Sequence, residues 1–348
     1  MRLRENTEKP AEVNRQGREE TDLNLGIAGN GMIVKDLMQT IHRLNFDKIY
    51  ILGREASKEK VERMVEENHL AGSFYNYEKM LRADVDVVYV ALPNHLHYDF
   101  ARKALEYKKH VVIEKPVTSH AGELKELIKL AKEQKRMIFE AMTIHYTPSY
   151  QGLRADLGKL GKIKMVSFNY SQYSSRYDAF KEGNILPAFD PRMSGGALMD
   201  INVYNVHAVL GLFGVPKSAR YYANVEKGID TSGMMFYDYG VFKAVSIGAK
   251  DCQAPAMSVI QGDQAAIVIE KPVNQMTEYK ILYHDGHEEL RHFGQDKHRM
   301  YYEFTEFIRM IEENDFETCQ KMLNLSCEAA ELMTRTRREE GIRFANDG

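Results

Sequence analysis

The sequence predicts an α/β protein of two domains, a doubly wound parallel sheet followed by an α+β domain with a large, mostly antiparallel sheet. Three observations lead to this prediction. Strand-like and helix-like segments alternate up to about residue 145, and short strand-like runs then follow one another with few helices between them. The chain has 348 residues, which is long enough for two hydrophobic cores.

The alternation in the first domain can be read from the residues themselves. The run 85–91 is too continuously apolar for a strand with one exposed face, which is typical of a parallel sheet covered on both sides. Apolar residues between 124 and 131 recur at helical spacing, as in a helix that packs on a sheet. The predicted strands are 23–28, 48–52, 85–91, 110–113 and 137–141, and the helices between them include 32–44 and 57–67.

The pattern changes after Pro148. A helix is predicted over 149–157, and turn residues then separate a series of short strands, which favours an antiparallel or mixed sheet. We place the domains at 22–145 and 146–348, and we expect that the two closing helices can pack back on the first domain. The predicted strands are 163–170, 219–225, 234–237, 241–247, 256–261, 265–269 and 278–283, and the closing helices are 297–313 and 315–340.

Composition excludes several classes of protein. The 47 Lys and Arg residues nearly balance 50 Asp and Glu residues, so no global basic field would attract nucleic acid or an anionic membrane. No apolar run is long enough for a transmembrane helix, and the start of the chain has no apolar core of a secretory signal. Three cysteines without a C-x-x-C pair fit a reducing cytoplasm. The charged residues 1–21 are interpreted as a flexible extension.

A glycine-rich segment, GIAGNGMIV at 26–34, follows the first predicted strand and opens its helix. Glycines there let the backbone approach a pyrophosphate, and the free N–H groups of the helix start can bind it. Val34 takes the third position of the G-x-G-x-x-G/A pattern, so slightly looser packing is expected, and an ordinary tight turn is the alternative interpretation. The residues of this turn predicted to bind the dinucleotide are Gly26, Gly29, Asn30, Gly31, Met32 and Ile33.

Polar loops follow the next two strands, at the sheet edge where open α/β sheets bind ligands. We predict that the loop 91–97 faces the dinucleotide, and that its histidines are loop residues with no metal bound. After the following strand, Lys115 is fixed by Pro116 and can project its ammonium group into the same crevice, although an exposed salt-bridging lysine is the alternative. The binding residues predicted from these two loops are Leu92, Pro93, Asn94, His97, Glu114 and Lys115.

A second glycine pair, Gly195-Gly196, opens a predicted helix over 194–207. Asp200 and Tyr204 stand four residues apart on one face, and His207 follows three residues later. An acid, a phenol and an imidazole in this order could relay a proton if a nearby cation lowered the pKa of the phenol. An amphipathic helix with a polar edge is the alternative.

Taken together, these four motifs resemble the family of glucose-fructose oxidoreductase, inositol dehydrogenase and MocA (Gfo/Idh/MocA). The glycine turn, Pro-Asn-x-x-His, Glu-Lys-Pro and Gly-Gly-x-x-x-Asp-x-x-x-Tyr occur in the family's order and at about its spacings, from about residue 23 to 344. The segments 140–142 and 262–264, with Pro148, match the branch resembling dimeric dihydrodiol dehydrogenases, in which tyrosine stands where inositol dehydrogenase-like members carry histidine.

The resemblance implies a Rossmann domain and an NAD(P)-dependent oxidoreductase that acts on a sugar, polyol or diol, as a homodimer or homotetramer. It assigns Tyr204 as the catalytic acid/base, Lys115 as the active-site lysine and Asp200 as the aspartate beside the substrate. One departure concerns position 145, where close relatives usually carry arginine. The side chains predicted to shape the substrate pocket are His145, Tyr173, Arg176 and His207.

The choice of dinucleotide is predicted from the end of the second strand. NAD-specific folds place an acidic residue there for the ribose 2′-hydroxyl, whereas this chain has Gly53 and then Arg54, whose guanidinium can bind a phosphate. Ser57 and Lys58 could add a hydroxyl and a charge. We therefore expect NADP(H) to be preferred, with NAD(H) as the alternative, since a shift of one residue could bring Glu55 to the ribose.

Two other functions are also consistent with the sequence. A protein with this pattern could bind the dinucleotide without turnover and regulate sugar metabolism, or it could be an NAD-dependent glycoside hydrolase. Retention of Lys115, Asp200 and Tyr204 argues against the regulator, because a protein without turnover could lose its proton-handling residues.

Overall fold

The computed structural model describes residues 23–294 and 297–347, so the predicted extension 1–21 lies outside the described residues. The first sheet is wholly parallel and confirms the predicted doubly wound sheet. Its strands are β1 (Leu25–Ala28), β2 (Ile49–Leu52), β3 (Gly72–Phe74), β4 (Val87–Val90), β5 (His110–Glu114) and β6 (Ile138–Ala141). They lie in the order β3-β2-β1-β4-β5-β6, and the order reverses between β1 and β4. The crevice at the carboxyl ends of these two strands is where such sheets bind dinucleotides.

Five helices connect these strands: α1 (Met32–Met38), α2 (Lys58–Glu67), α3 (Tyr77–Arg82), α4 (His97–Glu106) and α5 (Ala121–Gln134). Strands β1 and β4 are completely buried, as the continuous apolar run predicted. Strand β3 and helix α3 were not predicted, because a three-residue strand of Gly, Ser and Phe at the sheet edge shows no alternating apolar pattern.

The second sheet has eight strands and begins after α6 (Pro148–Asp156). The predicted boundary at 145/146 falls in a short helical turn, Thr143–Tyr146, between β6 and α6. The remaining elements are β7 (Ile163–Ser171), α7 (Tyr177–Lys181), α8 (Val203–Phe213), β8 (Ser218–Glu226), β9 (Ile229–Asp238), β10 (Lys243–Ala249), β11 (Ser258–Gly262), β12 (Ala265–Ile269), β13 (Glu278–Tyr283), β14 (Glu288–His292), α9 (Arg299–Glu312) and α10 (Phe316–Glu339).

This sheet confirms the predicted large, mostly antiparallel architecture. Its order is β14-β13-β12-β11-β7-β10-β9-β8, and only β7 and β10 run parallel. The edge strand β14 was not predicted, because its five residues are mostly charged. The predicted helix 194–207 starts later than expected, with a π-helical turn over Leu198–Asn202 that leads directly into α8.

The two faces of the second sheet differ in burial. Met235 and Tyr237 of β9 point into the core, whereas the alternating Met234 and Phe236 are exposed. The exposed face continues along the sheet, since Met234 pairs with Tyr222 of β8, which is also exposed. We call this the outer face, and its exposed apolar side chains are Met165, Tyr222, Met234, Phe236 and Leu290.

The closing helices α9 and α10 contact the strands of the first sheet. Phe304 of α9 meets Tyr89 of β4 with ring centroids 5.2 Å apart, and Phe307 stacks on Phe139 of β6 at 4.7 Å. Helix α10 contributes side chains to both cores. None of the helices within the described ranges is both long enough and apolar enough to cross a membrane.

Candidate active site

The glycine turn between β1 and α1 is closely packed on one side and open on the other. Gly29 has φ of +124°, and a Cβ at this position would lie 2.3 Å from the Ala91 carbonyl oxygen, so only glycine fits. Gly31 precedes α1 with an ordinary φ of −77°, and a Cβ there would meet no atom within 4 Å. We call this turn the cradle: Gly29 packs against the Ala91 carbonyl, and the space beside Gly31 is open.

At the end of β2, the structure gives Gly53 a different role from the predicted one. A Cβ at Gly53 would lie 2.4 Å from Cγ2 of Val61, which is completely buried in α2. Position 53 is glycine because α2 packs closely against β2, which is a requirement of the fold that is independent of any phosphate.

The polar side chains beside Gly53 are connected to the glycine turn. Asn30 Nδ2 donates to Ser57 Oγ at 3.1 Å, and Ser57 Oγ donates to the Arg54 carbonyl at 3.0 Å. Lys60 was not predicted, and its ammonium donates to the Asn30 carbonyl. Lys60 therefore places one cation at the turn, the backbone of Arg54 is joined to the turn through Ser57, and Lys58 lies over the Tyr75 ring at 5.6 Å.

Two side chains predicted to bind the dinucleotide instead hold the neighbouring loops in place. The His97 ring is completely buried, and its nitrogens lie 2.8 Å from the Leu92 carbonyl oxygen and 2.9 Å from that of Pro116. Burial lowers the pKa of His97 to about 4. The buried Glu114 carboxyl accepts a hydrogen bond from Tyr89. The prediction is corrected for these two side chains, since both are enclosed and engaged within the protein.

Asn94 connects the same loop to the second domain. Its Nδ2 donates to the Ser194 carbonyl at 2.8 Å, directly before the glycine pair that leads into the π turn. The loop after β4 is thereby tied to the segment that carries Asp200. Leu92 is half-buried in this loop, Pro93 is exposed, and Met32 and Ile33 form the first turn of α1.

The structure brings together Lys115, Asp200 and Tyr204. Lys115 Nζ donates to the Asp200 backbone carbonyl at 2.7 Å and to Asp200 Oδ1 at 3.3 Å, and it lies 4.9 Å from the centroid of the Tyr204 ring. Lys115 follows β5 of the first sheet, whereas Asp200 belongs to the π turn of the second domain. In a π turn the backbone bonds span one residue more than in an α-helix, and here the Asp200 carbonyl accepts from a side chain of the other domain.

Charge determines the protonation of this group. Burial lowers the pKa of Lys115, but the neighbouring Tyr204, Asp200 and Glu114 outweigh this effect and raise it, so the ammonium form is held. Burial raises the pKa of Tyr204, and the positive charges of Lys115 and Arg299 partly oppose that shift. At neutral pH the arrangement therefore contains an ammonium group beside a protonated phenol.

Three ionisable residues near this group were not found from the sequence. Lys250, which follows β10, contacts Asp200 Oδ2 at 2.7 Å. Arg299 starts α9 and binds Asp36 of α1 at 3.0 Å, and Glu303 one turn later is completely buried. Burial, reinforced by the nearby Glu114, raises the pKa of Glu303 well above its usual value, so this carboxyl is protonated. No local motif marks these residues, because only tertiary packing brings them to the site.

His145 and His207 are placed in the interior instead of in the predicted substrate pocket. His145 Nε2 lies 3.2 Å from His207 Nδ1, and His207 Nε2 lies 3.4 Å from Glu140 Oε2. Burial lowers the pKa of both histidines, so the two rings form a neutral pair. The prediction that these two side chains contact substrate is corrected, because both are enclosed and directed toward each other and Glu140.

The other two predicted substrate residues lie at the start of α7. Tyr173 is exposed and donates to Asp178 at 2.7 Å, and Arg176 directly precedes the helix. Helix α7 rests on an aromatic cluster in which Phe180 and Phe189 stack at 5.0 Å. Farther along the chain, next to Phe189, the Ala188 carbonyl accepts a hydrogen bond from Lys250.

Comparison with known proteins identifies relatives along most of the chain. Residues 23–142 match the model of an oxidoreductase family with an NAD-binding Rossmann fold. The chain is 35% identical to the scyllo-inositol 2-dehydrogenase (NADP(+)) IolU of Bacillus subtilis, over 84% of this chain and 89% of that protein. It is 30% identical to an uncharacterized oxidoreductase, YgjR, of Escherichia coli, over 93% of this chain and 98% of that protein.

Solved structures share the fold at lower identity. A 3-ketoreductase from Actinomadura kijaniata, in complex with NADP and TDP-benzene, has a TM-score of 0.78 at 20% identity and covers 93% of this chain and 99% of its own. A levoglucosan dehydrogenase in complex with NADH and levoglucosan has a TM-score of 0.76 at 17% identity and covers 92% and 98%. The two-sheet architecture is therefore common to both enzymes and this chain.

The two glycines provide a matched pair of predictions. Gly53→Ala should destabilise the protein by about 1–3 kcal/mol, because the new methyl group overlaps Val61 in a close-packed core. Gly31→Ala should leave the melting temperature nearly unchanged but weaken binding of the dinucleotide, because its methyl group enters the mouth of the cradle. Thermal denaturation and fluorescence titration with NADPH measure the two effects, and a stable Gly53→Ala protein would contradict the packing argument.

Proposed function

The chain belongs to the Gfo/Idh/MocA family of oxidoreductases, and from this premise we propose that it transfers a hydride between a nicotinamide dinucleotide and a carbon atom of a sugar, polyol or diol. The observation that supports this reaction best is the cluster of Lys115, Asp200 and Tyr204, at the carboxyl edge of a parallel sheet that also carries the glycine cradle. The inositol dehydrogenase relative supports a polyhydroxylated substrate.

The residues of the cradle fit a bound dinucleotide. Gly29 packs against the Ala91 carbonyl and holds the turn close to the end of β4, and the open space beside Gly31 at the start of α1 can receive a pyrophosphate. When bound, the nicotinamide supplies or accepts the hydride. The side chains of the protein hold the reacting carbon in place and transfer one proton.

We assign the proton transfer to Tyr204. In the direction of carbonyl reduction, the phenol donates its proton to the forming alkoxide oxygen, and Lys115 stabilises the phenolate that results. In the direction of alcohol oxidation, the phenolate must form first and then accept the hydroxyl proton. Because burial raises the pKa of Tyr204, the phenol is ready for reduction at neutral pH, whereas oxidation needs alkaline conditions.

We propose a preference for NADP(H) from the cations beside the turn. Arg54 can bind a 2′-phosphate through two nitrogens, and Lys60, held at the Asn30 carbonyl, adds a second charge on the same side. Ser57 accepts a hydrogen bond from Asn30, and Lys58 adds a further positive charge at the start of α2.

The outer face is proposed to join copies of the chain into a homodimer or homotetramer. Tyr222, Met234 and Phe236 form an exposed apolar group on β8 and β9, and exposed apolar side chains of this kind mark protein interfaces. Cytoplasmic localisation is proposed from the three cysteines, all free thiols in the structure.

Tyr204→Phe and Lys115→Ala are each expected to lower kcat by about 10²-fold or more, with cofactor affinity little changed. The assay follows NADPH and NADH absorbance with a panel of sugars, polyols and diols in both directions. For the wild type, the oxidation rate should rise with pH toward the pKa of Tyr204, which lies above its usual value of about 10. Tyr150→Phe, which removes a buried hydroxyl from the Ala208 carbonyl of α8, is the matched control. Near-normal turnover by Tyr204→Phe would refute the assignment.

Arg54→Ala and Lys60→Ala should each weaken NADPH binding by about 10-fold while changing NADH binding much less, because a charged hydrogen-bond partner of the 2′-phosphate is lost. Fluorescence titration with both dinucleotides measures this directly. Lys35→Ala, in the last turn of α1, controls for the loss of a positive charge in the same domain. Equal or better use of NAD(H) by the wild type would contradict the proposed preference.

Light scattering at micromolar concentration should give the mass of a dimer or tetramer. Phe236→Lys should lower that mass, because it places a charge in the centre of the outer face. Val241→Lys, in the exposed turn between β9 and β10, is a control that should not. A monomer mass for the wild type would exclude this proposal.

A further inference from the structure

The Asp200 carboxylate is shared between two lysines. Oδ1 faces Lys115 at 3.3 Å and Oδ2 faces Lys250 at 2.7 Å. The two lysines come from different sheets, since Lys115 follows β5 and Lys250 follows β10. About a third of the Asp200 side chain (35%) remains exposed, whereas the Lys250 side chain is only 3% exposed. The carboxylate is therefore held from both sides and is partly open to solvent.

Lys250 has a fixed position. Its ammonium also donates to the Ala188 carbonyl at 2.6 Å and lies 4.3 Å from the centroid of the Phe189 ring. Its backbone N–H donates to the Thr231 carbonyl at 2.8 Å. A lysine with this little freedom fixes the direction of the carboxylate that it contacts, and burying it requires a partner such as Asp200.

The charge balance around Tyr204 depends on this contact. The charged and titratable groups that act on Tyr204 come from β5, β7 and α9, and Asp200 acts on it through Lys115. Lys115 and Arg299 are positive, Glu303 is protonated, and the ionised Asp200 is negative. The groups that act directly on Tyr204 are Lys115, Arg299, Glu114 and Tyr170, and Asp200, Lys250 and Glu303 act on these in turn.

We propose that Lys250 is a positioning residue for proton transfer: it occupies one oxygen of Asp200 and offsets that charge, so that Lys115 can act on the phenol of Tyr204. The proposal rests on the proposed function, in which Tyr204 exchanges the proton. With Lys250 present, two ammonium groups face one carboxylate and a net positive charge remains beside the phenol. Without it, Asp200 alone would balance Lys115, and the phenolate would lose the part of its support that comes from Lys115, while Arg299 would remain.

The test is the pH profile of kcat for alcohol oxidation in Lys250→Met, a substitution that retains length and removes the charge. We expect the alkaline rise in rate to shift upward by about one pH unit, since a unit charge in a partly buried site acts at this scale. Oxidation at a fixed pH below the rise should then fall about 10-fold, whereas reduction at neutral pH should change less. Cofactor affinity should be unchanged, and Lys250→Arg should restore the profile.

Tyrosinate absorbance gives a readout that needs no turnover. Comparison of the wild type with Tyr204→Phe, both without dinucleotide, identifies the absorbance change that belongs to Tyr204. That change should occur at higher pH in Lys250→Met than in the wild type. Lys227→Met is the matched control, because Lys227 also donates to backbone carbonyls, at Phe180 and Lys181, and lies over an aromatic ring, but contacts no active-site carboxylate. It should leave both pH curves unchanged.

The two proposals fail in different ways. If the wild type oxidises no substrate of the panel, or if Tyr204→Phe is as active as the wild type, the proposed function is wrong. If the wild type is active, Tyr204→Phe is not, and Lys250→Met keeps the wild-type pH profile, the role of Lys250 is wrong. Should Lys250→Met fail to fold, Lys250→Gln is measured in its place, and an unshifted profile there overturns the proposal equally.

Discussion

The contact between Lys115 and Asp200 is the interaction on which the site depends. It joins the carboxyl edge of the parallel sheet to the second domain, because the lysine follows β5 while the aspartate precedes α8. Removing Asp200 would leave the Lys115 ammonium, whose side chain is only 16% exposed, without its carboxylate partner. The two sheets are therefore held in one relative position at the point where the chemistry is proposed to occur.

Several polar contacts hold the segment that carries Asp200 and Tyr204. The π turn begins at Leu198, whose N–H donates to Asp230 Oδ2 at 2.6 Å, and Tyr221 donates to the same oxygen at 2.8 Å. Burial raises the pKa of Asp230 to about 6, so this anchor is ionised at neutral pH at some cost in stability. The ionised carboxylate binds the start of the π turn to β9, and the Asp200 side chain of this turn meets Lys115 of the other domain.

The sequence was informative where local pattern and chemistry coincide. Buried strands appear as apolar runs, so both sheets could be predicted from local pattern. The group of Lys115, Asp200 and Tyr204 could be predicted only from the joint resemblance of four motifs to a family, because each motif alone also fits an exposed lysine or a polar helix edge. Lys250 and Arg299 could not, because each is one charged residue in an unremarkable segment and only packing brings it to the site. His207 was misplaced because the spacing after Tyr204 suggests a shared face, whereas burial directs the ring toward His145 and Glu140.

The close packing of Gly53 against Val61 also has a consequence for evolutionary history. An acidic side chain at the end of the second strand is the simplest single step from a phosphate-binding to a hydroxyl-binding pocket. In this chain that step passes through a destabilised intermediate unless α2 changes first. Descendants of this protein should therefore exchange cofactor preference through Arg54 and Lys60, and lineages that did acquire an acid at position 53 should carry a smaller residue at position 61.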